Sequence, residues 1–118
     1  MVVVRLRIEG QDLGGLVDLL ESGLAGRYVS ASEELVVLAS ERFYLRTGSD
    51  LLTVVILKLL AKDRYEVEVI TGGGGTGPFG ITFGAEKHRS SKVVEVLEEI
   101  CRANSWTLMR IPPEAARA

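Results

Sequence analysis

The sequence predicts an α+β domain in which a single, mostly antiparallel sheet carries two helices on one of its faces. Three observations predict it: apolar and polar residues alternate over residues 2–9, two separate segments repeat their apolar residues with helical spacing, and a long run between them has a period of two. Helices separated by an antiparallel run are expected to cover the same face of one sheet. We predict one domain over residues 1–118, with elements in the order β-α-β-β-β-β-β-β-α-β.

The first two elements are a strand and a helix. The strand has aliphatic residues on one side, namely Val2, Val4, Leu6 and Ile8. Asp12 is placed to accept hydrogen bonds from the free N–H groups of a helix start. The helix that follows has a single apolar stripe, formed by Leu13, Leu16, Val17 and Leu20. Gly23 is predicted to end this helix in a left-handed conformation.

A meander of strands follows, because short apolar runs alternate with polar turn residues such as Ser40-Glu41. Its strands are predicted near residues 27–31, 35–39, 42–47, 51–61 and 64–71. The fourth strand, 51–61, is aliphatic on both sides except at Lys58, so we expect it to lie inside the sheet and to be covered on both faces. A helix is disfavoured there because Thr53 to Ile56 are mostly β-branched.

The last elements are a short strand, a helix and a final strand. Phe79 to Phe83 alternates large and small residues and predicts the short strand. Ser90 or Ser91 could cap the second helix, Asn104 could end it, and its buried stripe would be Val93, Val96, Leu97, Ile100 and Cys101. Residues 106–111 are predicted to be extended, and the tail 112–118 to fray.

Composition and charge exclude several classes of function. The 118 residues are 47% hydrophobic and 25% charged, which is ordinary for a folded domain. Cys101 is the single cysteine, so no intrachain disulfide can form, and we expect it to fill the core in a reducing compartment, the cytoplasm. A net charge of −2 gives no attraction to nucleic acid. The chain shows neither a signal-peptide pattern nor an apolar run long enough to span a membrane.

The glycine run at 72–77 is the feature that composition does not predict. The run has four consecutive glycines followed by Thr76 and Gly77. Ordering these glycines on folding costs about 2–4 kcal/mol more in conformational entropy than ordering alanines would. One interpretation is that their bare N–H groups approach a small anion, with Gly73, Gly74, Gly75, Thr76 and Gly77 as its ligands. The other is a flexible hairpin tip or a bulge against another backbone. The run lacks the lysine of a P-loop and the following helix of a dinucleotide fingerprint.

Few side chains could add chemistry to the glycine run. Arg46 lies with Arg42 and Tyr44 on one face of a predicted strand and could bind a carboxylate or phosphate, or it could be part of a solvated face with salt bridges. His88, beside Glu86, could carry protons or could simply be solvated. One histidine and one cysteine are too few for a zinc site, so we expect no metal and no cofactor. No nucleophile of a known catalytic motif is visible.

Four segments together resemble a family of small prokaryotic α+β proteins that has no established activity. These segments are Arg42 to Ser49, Leu52 to Ile56, Gly72 to Phe79 and Phe83 to Glu86, in the middle of the chain. The resemblance implies that the Tyr-Leu-Arg-Thr-Gly strand and the glycine run belong to one module. It implies no function.

Three functions therefore remain open. The leading hypothesis is a non-catalytic binding module that forms a homo-oligomer, most simply a dimer, through its uncovered sheet face or an edge strand. In this hypothesis the glycine run is a candidate site for a small anion. The second is an enzyme that acts on a small anionic metabolite through Arg46, His88 or Glu86. The third is a structural subunit of a larger complex, which would expose an apolar patch.

Overall fold

The computed structural model of the chain describes residues 2–24, 28–44, 49–73 and 83–112. Six strands in this part of the chain form one antiparallel sheet, and two helices accompany it. The strands are β1 (Val2–Glu9), β2 (Tyr28–Ala31), β3 (Leu35–Tyr44), β4 (Ser49–Ala61), β5 (Arg64–Gly73) and β6 (Thr107–Arg110). The helices are α1 (Leu16–Leu24), which follows a short 3-10 helix at Leu13–Gly15, and α2 (Phe83–Ala103). The predicted class, α+β with a single sheet, is confirmed.

The sheet has the strand order β2-β3-β4-β5-β1-β6. The strands β2 to β5 form a meander, in which each strand pairs with the next one along the chain. The first strand, β1, then pairs with β5 over its whole length, and β6 adds to the outer side of β1. The long strand β4 therefore lies inside the sheet, as its aliphatic sequence predicts.

The core lies between the helices and one face of the sheet. Every second residue of the inner strands is buried on this side, including Leu6, Val55, Leu57, Val67 and Val69. The helices contribute Leu16 and Leu20 from α1, and Val93, Leu97 and Cys101 from α2. The predicted stripe of α2 is confirmed, and Lys92, Glu95, Glu98 and Glu99 on its other side are exposed.

The predicted break in the meander at Ser40-Glu41 is wrong. Residues 35–44 form one continuous strand, β3, which pairs with β4 without interruption. Ser40 is buried, and its hydroxyl donates to the carbonyl oxygen of Leu24 at 3.0 Å. A tertiary hydrogen bond thus satisfies the side chain that suggested a turn. This merger is one reason why the structure describes six strands where the sequence predicted eight.

The predicted start of α2 is also wrong. The helix begins at Phe83, well before Ser90 and Ser91, so Phe83 is helical and does not end a strand. Residues 79–82 of the predicted short strand lie outside the described residues. The predicted end of α2 is confirmed, because the helix stops at Ala103 and the Asn104 side chain donates to the Ile100 carbonyl oxygen at 2.8 Å.

Both predicted boundaries of α1 need correction. Asp12 precedes the 3-10 helix and not α1 itself. Its backbone is left-handed, and within the described residues its side chain makes no capping hydrogen bond. Gly23 lies within α1, which ends one residue later. Its hydrogen faces α2: a Cβ at Gly23 would lie 2.8 Å from Val96 Cγ1. Close packing of the two helices, and not a left-handed turn, therefore explains this glycine.

Candidate functional site

The face of the sheet opposite the helices is the largest candidate site, and we call it the open face. On β4 the core side holds Thr53, Val55 and Leu57, which are buried, so the residues between them point away from the helices. Leu52, Val54, Ile56 and Lys58 are these open-face residues, and all are exposed or half-buried. The predicted central position of β4 is confirmed, but within this chain nothing in the described residues covers its second face.

One part of the open face is apolar, and we call it the apolar patch. Ile56 lies beside Val37 of β3, and Val54 lies between Ala39 of β3 and Ile70 of β5. The patch extends to both sides of these residues and comprises Val3, Leu35, Val37, Ala39, Leu52, Val54, Ile56 and Ile70. Leu52 and Val3 are each 47% exposed and Leu35 is 42% exposed. These side chains are contiguous across four strands, since each one is a cross-strand or diagonal neighbour of another.

The rest of the open face is charged, and we call it the charged band. It is formed by Arg5, Arg7, Lys58, Glu66 and Glu68, with Glu9 and Arg64 beyond them. Glu68 is its centre: one carboxylate oxygen accepts from Lys58 Nζ at 2.9 Å, and the other lies 3.9 Å from an Arg5 nitrogen. Glu68 has a side chain only 12% exposed, so these two cations compensate its loss of hydration.

Arg7 adds a second buried polar group to the charged band. It lies between Glu66 of β5 and Met109 of β6, and its Nε atom is buried without a hydrogen-bond partner in the described part of the chain. Arg64 Nε lies 3.2 Å from a Glu9 carboxylate oxygen at the end of the same band. The band therefore combines cations and anions at short range.

The sheet edges are less suited to association than the open face. The two edge strands, β2 and β6, have four residues each. Short edge strands offer few unpaired N–H and C=O groups to another chain. Beyond β6, Ile111 N donates to the Arg5 carbonyl oxygen at 2.9 Å, which covers a further part of β1.

A second candidate site is a groove between the two helices on the opposite side of the molecule. Its walls are Gly23 and Leu24 of α1 and a line of α2 residues: His88, Arg89, Lys92, Glu95, Val96 and Glu99. The groove has a volume of about 280 Å³. The α2 residues line it together because positions four, seven, eight and eleven residues after His88 lie near one face of a helix.

Arg89 connects this groove to a row of buried hydroxyl groups. The row consists of Ser40, Thr53 and Thr71 on the core side of three neighbouring strands. An Arg89 guanidinium nitrogen donates to Ser40 Oγ at 3.3 Å, and Arg89 is 7% exposed. Ser90 donates to Thr71 Oγ1 at 2.9 Å. Two members of the row, Ser40 and Thr71, therefore fix the first half of α2 against the sheet.

The structure separates the site residues that the sequence suggested. His88 is exposed and lines the groove, and Gly73 is the last residue of β5. Arg46, Gly74, Gly75, Thr76 and Gly77 lie outside the described residues, so the predicted anion site at the glycine run stays a prediction. Leu51 pairs with Arg42 of β3 on one side and with Gly73 of β5 on the other, so β4 lies between these two strands near their ends.

Other reactive groups in the described residues are few. Cys101 is buried, and burial, together with the neighbouring Glu98 carboxylate, raises the pKa of its thiol to about 11. Its thiolate, the reactive form, is therefore disfavoured. Within the described residues no three His, Cys, Asp or Glu side chains are grouped closely enough to hold a metal ion. No described helix is both long and apolar enough to cross a bilayer.

Sequence reasoning missed the charged band and the groove. The sequence does contain a pattern that indicates the charged band. Arg5 and Arg7 alternate with aliphatic residues on one strand, and Glu66 and Glu68 do so on another. Their pairing depends on β1 lying beside β5, which the order along the chain does not indicate. Comparison with protein families, with curated proteins and with solved structures gives no match.

Proposed function

We propose that this chain is a non-catalytic binding module that associates with a second copy of itself through the open face. The supporting observation is where its exposed apolar side chains lie. Of six large hydrophobic side chains exposed in the described residues, four lie on the open face by register: Val3, Leu35, Leu52 and Met109. Leu60 lies at the bulge that ends β4, and only Leu19 belongs to a helix.

The open face is large enough for a stable interface. Its four long strands at a spacing of about 4.8 Å span about 19 Å, and eight residues at about 3.3 Å each span about 26 Å. The flat area is therefore about 500 Å², before the relief of the side chains is added. A standard interface buries about 800 Å² of accessible surface on each partner. An apolar centre bordered by charged residues is also the usual anatomy of such interfaces.

The charges of the open face favour an identical partner. The charged band holds four cations and three anions, namely Arg5, Arg7, Lys58 and Arg64 against Glu9, Glu66 and Glu68. A two-fold axis places the same surface on both sides, so both signs of charge can meet their opposites. A strongly acidic or basic partner would leave half of these charges opposed by like charge. The single, buried Cys101 is compatible with a reducing cytoplasm, where we propose that the dimer forms.

Light scattering after size-exclusion chromatography tests the proposal, with a matched pair of variants. Leu52→Lys puts a charge in the apolar patch, and Leu19→Lys puts the same charge on α1 at nearly the same exposure, 42% against 47%. We expect dimers for the unmodified chain and for Leu19→Lys, and monomers for Leu52→Lys at the same concentration. Circular dichroism checks that both variants fold.

Two outcomes would contradict the proposal. A chain that stays monomeric up to millimolar concentration does not self-associate. A Leu52→Lys variant that remains as dimeric as Leu19→Lys would place the contact elsewhere, for example at an edge strand.

A further inference from the structure

We propose that the groove between α1 and α2 binds a small oxyanion, such as a phosphate or carboxylate group, at its end formed by His88, Arg89 and Lys92. This inference is independent of self-association, because the groove lies in the helical layer and the open face on the other side of the sheet. It also differs from the site predicted at the glycine run, since every residue that forms it belongs to the described helices or to β3.

Arg89 brings a cationic side chain to this end of the groove, in a mostly buried position. Its guanidinium is ionised at all physiological pH values and presents several N–H donors in a plane, the geometry that suits phosphate and carboxylate oxygens. Arg89 is 7% exposed yet lines the groove, so its interaction with an anion would be weakly screened by water. Its contact with Ser40 Oγ orients the guanidinium from the side of the sheet.

His88 and Lys92 supply further donors at the rim of this end. Both are exposed, and Lys92 lies one helical turn after His88 on the same face of α2. The Lys92 ammonium lies 3.5 Å from a Glu95 carboxylate oxygen, with side-chain exposures of 53% and 60%. An exposed ion pair of this kind is weak, so Lys92 can leave Glu95 and bind an anion in the groove with little loss of free energy.

The two carboxylates of the groove limit the ligand to one end and to a small size. Glu95 and Glu99 follow Lys92 along α2, so the groove runs from cationic to anionic over the length of about three helical turns. A long polyanion would meet these carboxylates and be repelled. A single phosphate or carboxylate group near His88, Arg89 and Lys92 would meet only Glu95, which competes with it for Lys92, and would not extend to Glu99. Leu24 and Val96 add apolar surface to the lining of the groove, which suits a small ligand with an apolar part.

Titration with inorganic phosphate, followed by amide chemical shifts in NMR spectra at constant ionic strength, tests the proposal. We expect saturable shifts in the millimolar range, centred on residues 23–24, 40 and 88–96. Lys92→Gln should weaken binding about three- to tenfold, the effect of one charge-assisted hydrogen bond. Lys62→Gln, the same change in the exposed β4–β5 turn, should leave it unchanged. Glu95→Gln should strengthen binding about two- to threefold, because it removes the competitor for Lys92.

The titration separates the proposal from its alternatives. Arg89→Lys keeps the charge but loses the planar donors, so it should abolish saturation if the variant folds. Should it fail to fold, Lys92→Gln and Glu95→Gln still decide the matter, since both positions are exposed. Equal losses in Lys92→Gln and Lys62→Gln would overturn the proposal and indicate general charge screening. Shifts confined to Gly72 and Gly73 would overturn it in favour of the glycine run.

Discussion

Thr53 of β4 and Thr71 of β5 lie directly opposite each other on the core side of the sheet, and both are fully buried. Their hydroxyl groups nevertheless have different surroundings. Thr71 Oγ1 accepts a hydrogen bond from Ser90 at 2.9 Å, whereas Thr53 Oγ1 has no hydrogen-bond partner among the described residues. We therefore expect the two buried hydroxyl groups to affect stability in opposite directions.

Thr53→Val should stabilise the protein. Valine keeps the shape of the side chain and removes a buried hydroxyl whose desolvation is not compensated, which is worth about 1 kcal/mol. The free energy of unfolding, measured in urea at fixed protein concentration, should rise by that amount. A loss of stability would show that the Thr53 hydroxyl is satisfied in solution.

Thr71→Val should destabilise the protein by about 1–2 kcal/mol, because it leaves the buried Ser90 hydroxyl without its acceptor. The double variant with Ser90→Ala should lose less than the sum of the two single changes, since both remove the same hydrogen bond. Additive losses would mean that this bond contributes nothing. Thr53→Val is the matched control, as it makes the same change one strand away.

Gly10→Ala should destabilise the protein by about 2–3 kcal/mol. A Cβ at Gly10 would lie 2.3 Å from Trp106 Cδ1. The indole ring cannot move away without lengthening the 2.7 Å hydrogen bond that its Nε1 donates to the Gln11 carbonyl oxygen. Gly14→Ala is the control, since a Cβ there meets no described atom within 4 Å, and it should be neutral or stabilise by up to about 1 kcal/mol. The fluorescence of Trp106, the single tryptophan, reports both transitions. Equal effects of the two substitutions would refute the role of the ring contact.

The sequence predicted those parts of the fold in which local pattern and tertiary environment agree. The alternation in β1 and the aliphatic run of β4 correspond to strands, because their apolar residues are buried in the sheet on at least one side. The prediction failed where a hydrogen bond to a group distant in sequence overrode the local secondary-structure preference. Ser40 looked like a turn residue, but the Leu24 carbonyl oxygen and Arg89 satisfy its hydroxyl inside a continuous strand.

The candidate sites were harder to predict than the fold for a topological reason. The charged band depends on Arg5 meeting Glu68, and that contact exists only because β1 inserts between β5 and β6. The groove depends on α2 beginning at Phe83, several residues before the serines that marked its expected start. Pairing between distant segments leaves no periodic signal in a single sequence. Among the described side chains, His88 alone is both a candidate site residue from the sequence and a residue that lines the groove.

The raised pKa of Cys101 predicts a loss of stability in alkaline solution. In the unfolded chain the thiol releases its proton near its ordinary pKa of 9.0, whereas in the folded protein burial, assisted by Glu98, keeps the proton bound until about 11. The stabilising contribution of the protonated thiol is therefore complete well below pH 9 and is lost as the pH rises through 9 toward 11, with about 1 kcal/mol lost between about pH 8 and pH 10. Urea unfolding across this range measures the loss. Cys101→Ala should lack this part of the pH dependence, although the cavity lowers its stability at every pH. Identical pH profiles would contradict the assignment.

Glu68→Gln should destabilise the protein by about 0.5–1.5 kcal/mol, because the carboxylate that holds both Lys58 and Arg5 is 12% exposed and its charge-assisted bonds weaken. Lys58 and Arg5 are 46% and 32% exposed on their side chains, so water can hydrate them and limit the loss. The difference from the unmodified chain should shrink in high salt, which screens the charged form alone. Glu95→Gln, the matched control, breaks the exposed Lys92 pair and should change stability by less than about 0.5 kcal/mol. An effect of Glu68→Gln as small as that of Glu95→Gln would show that the charged band is a solvated surface. It would then no longer support an identical partner on the open face.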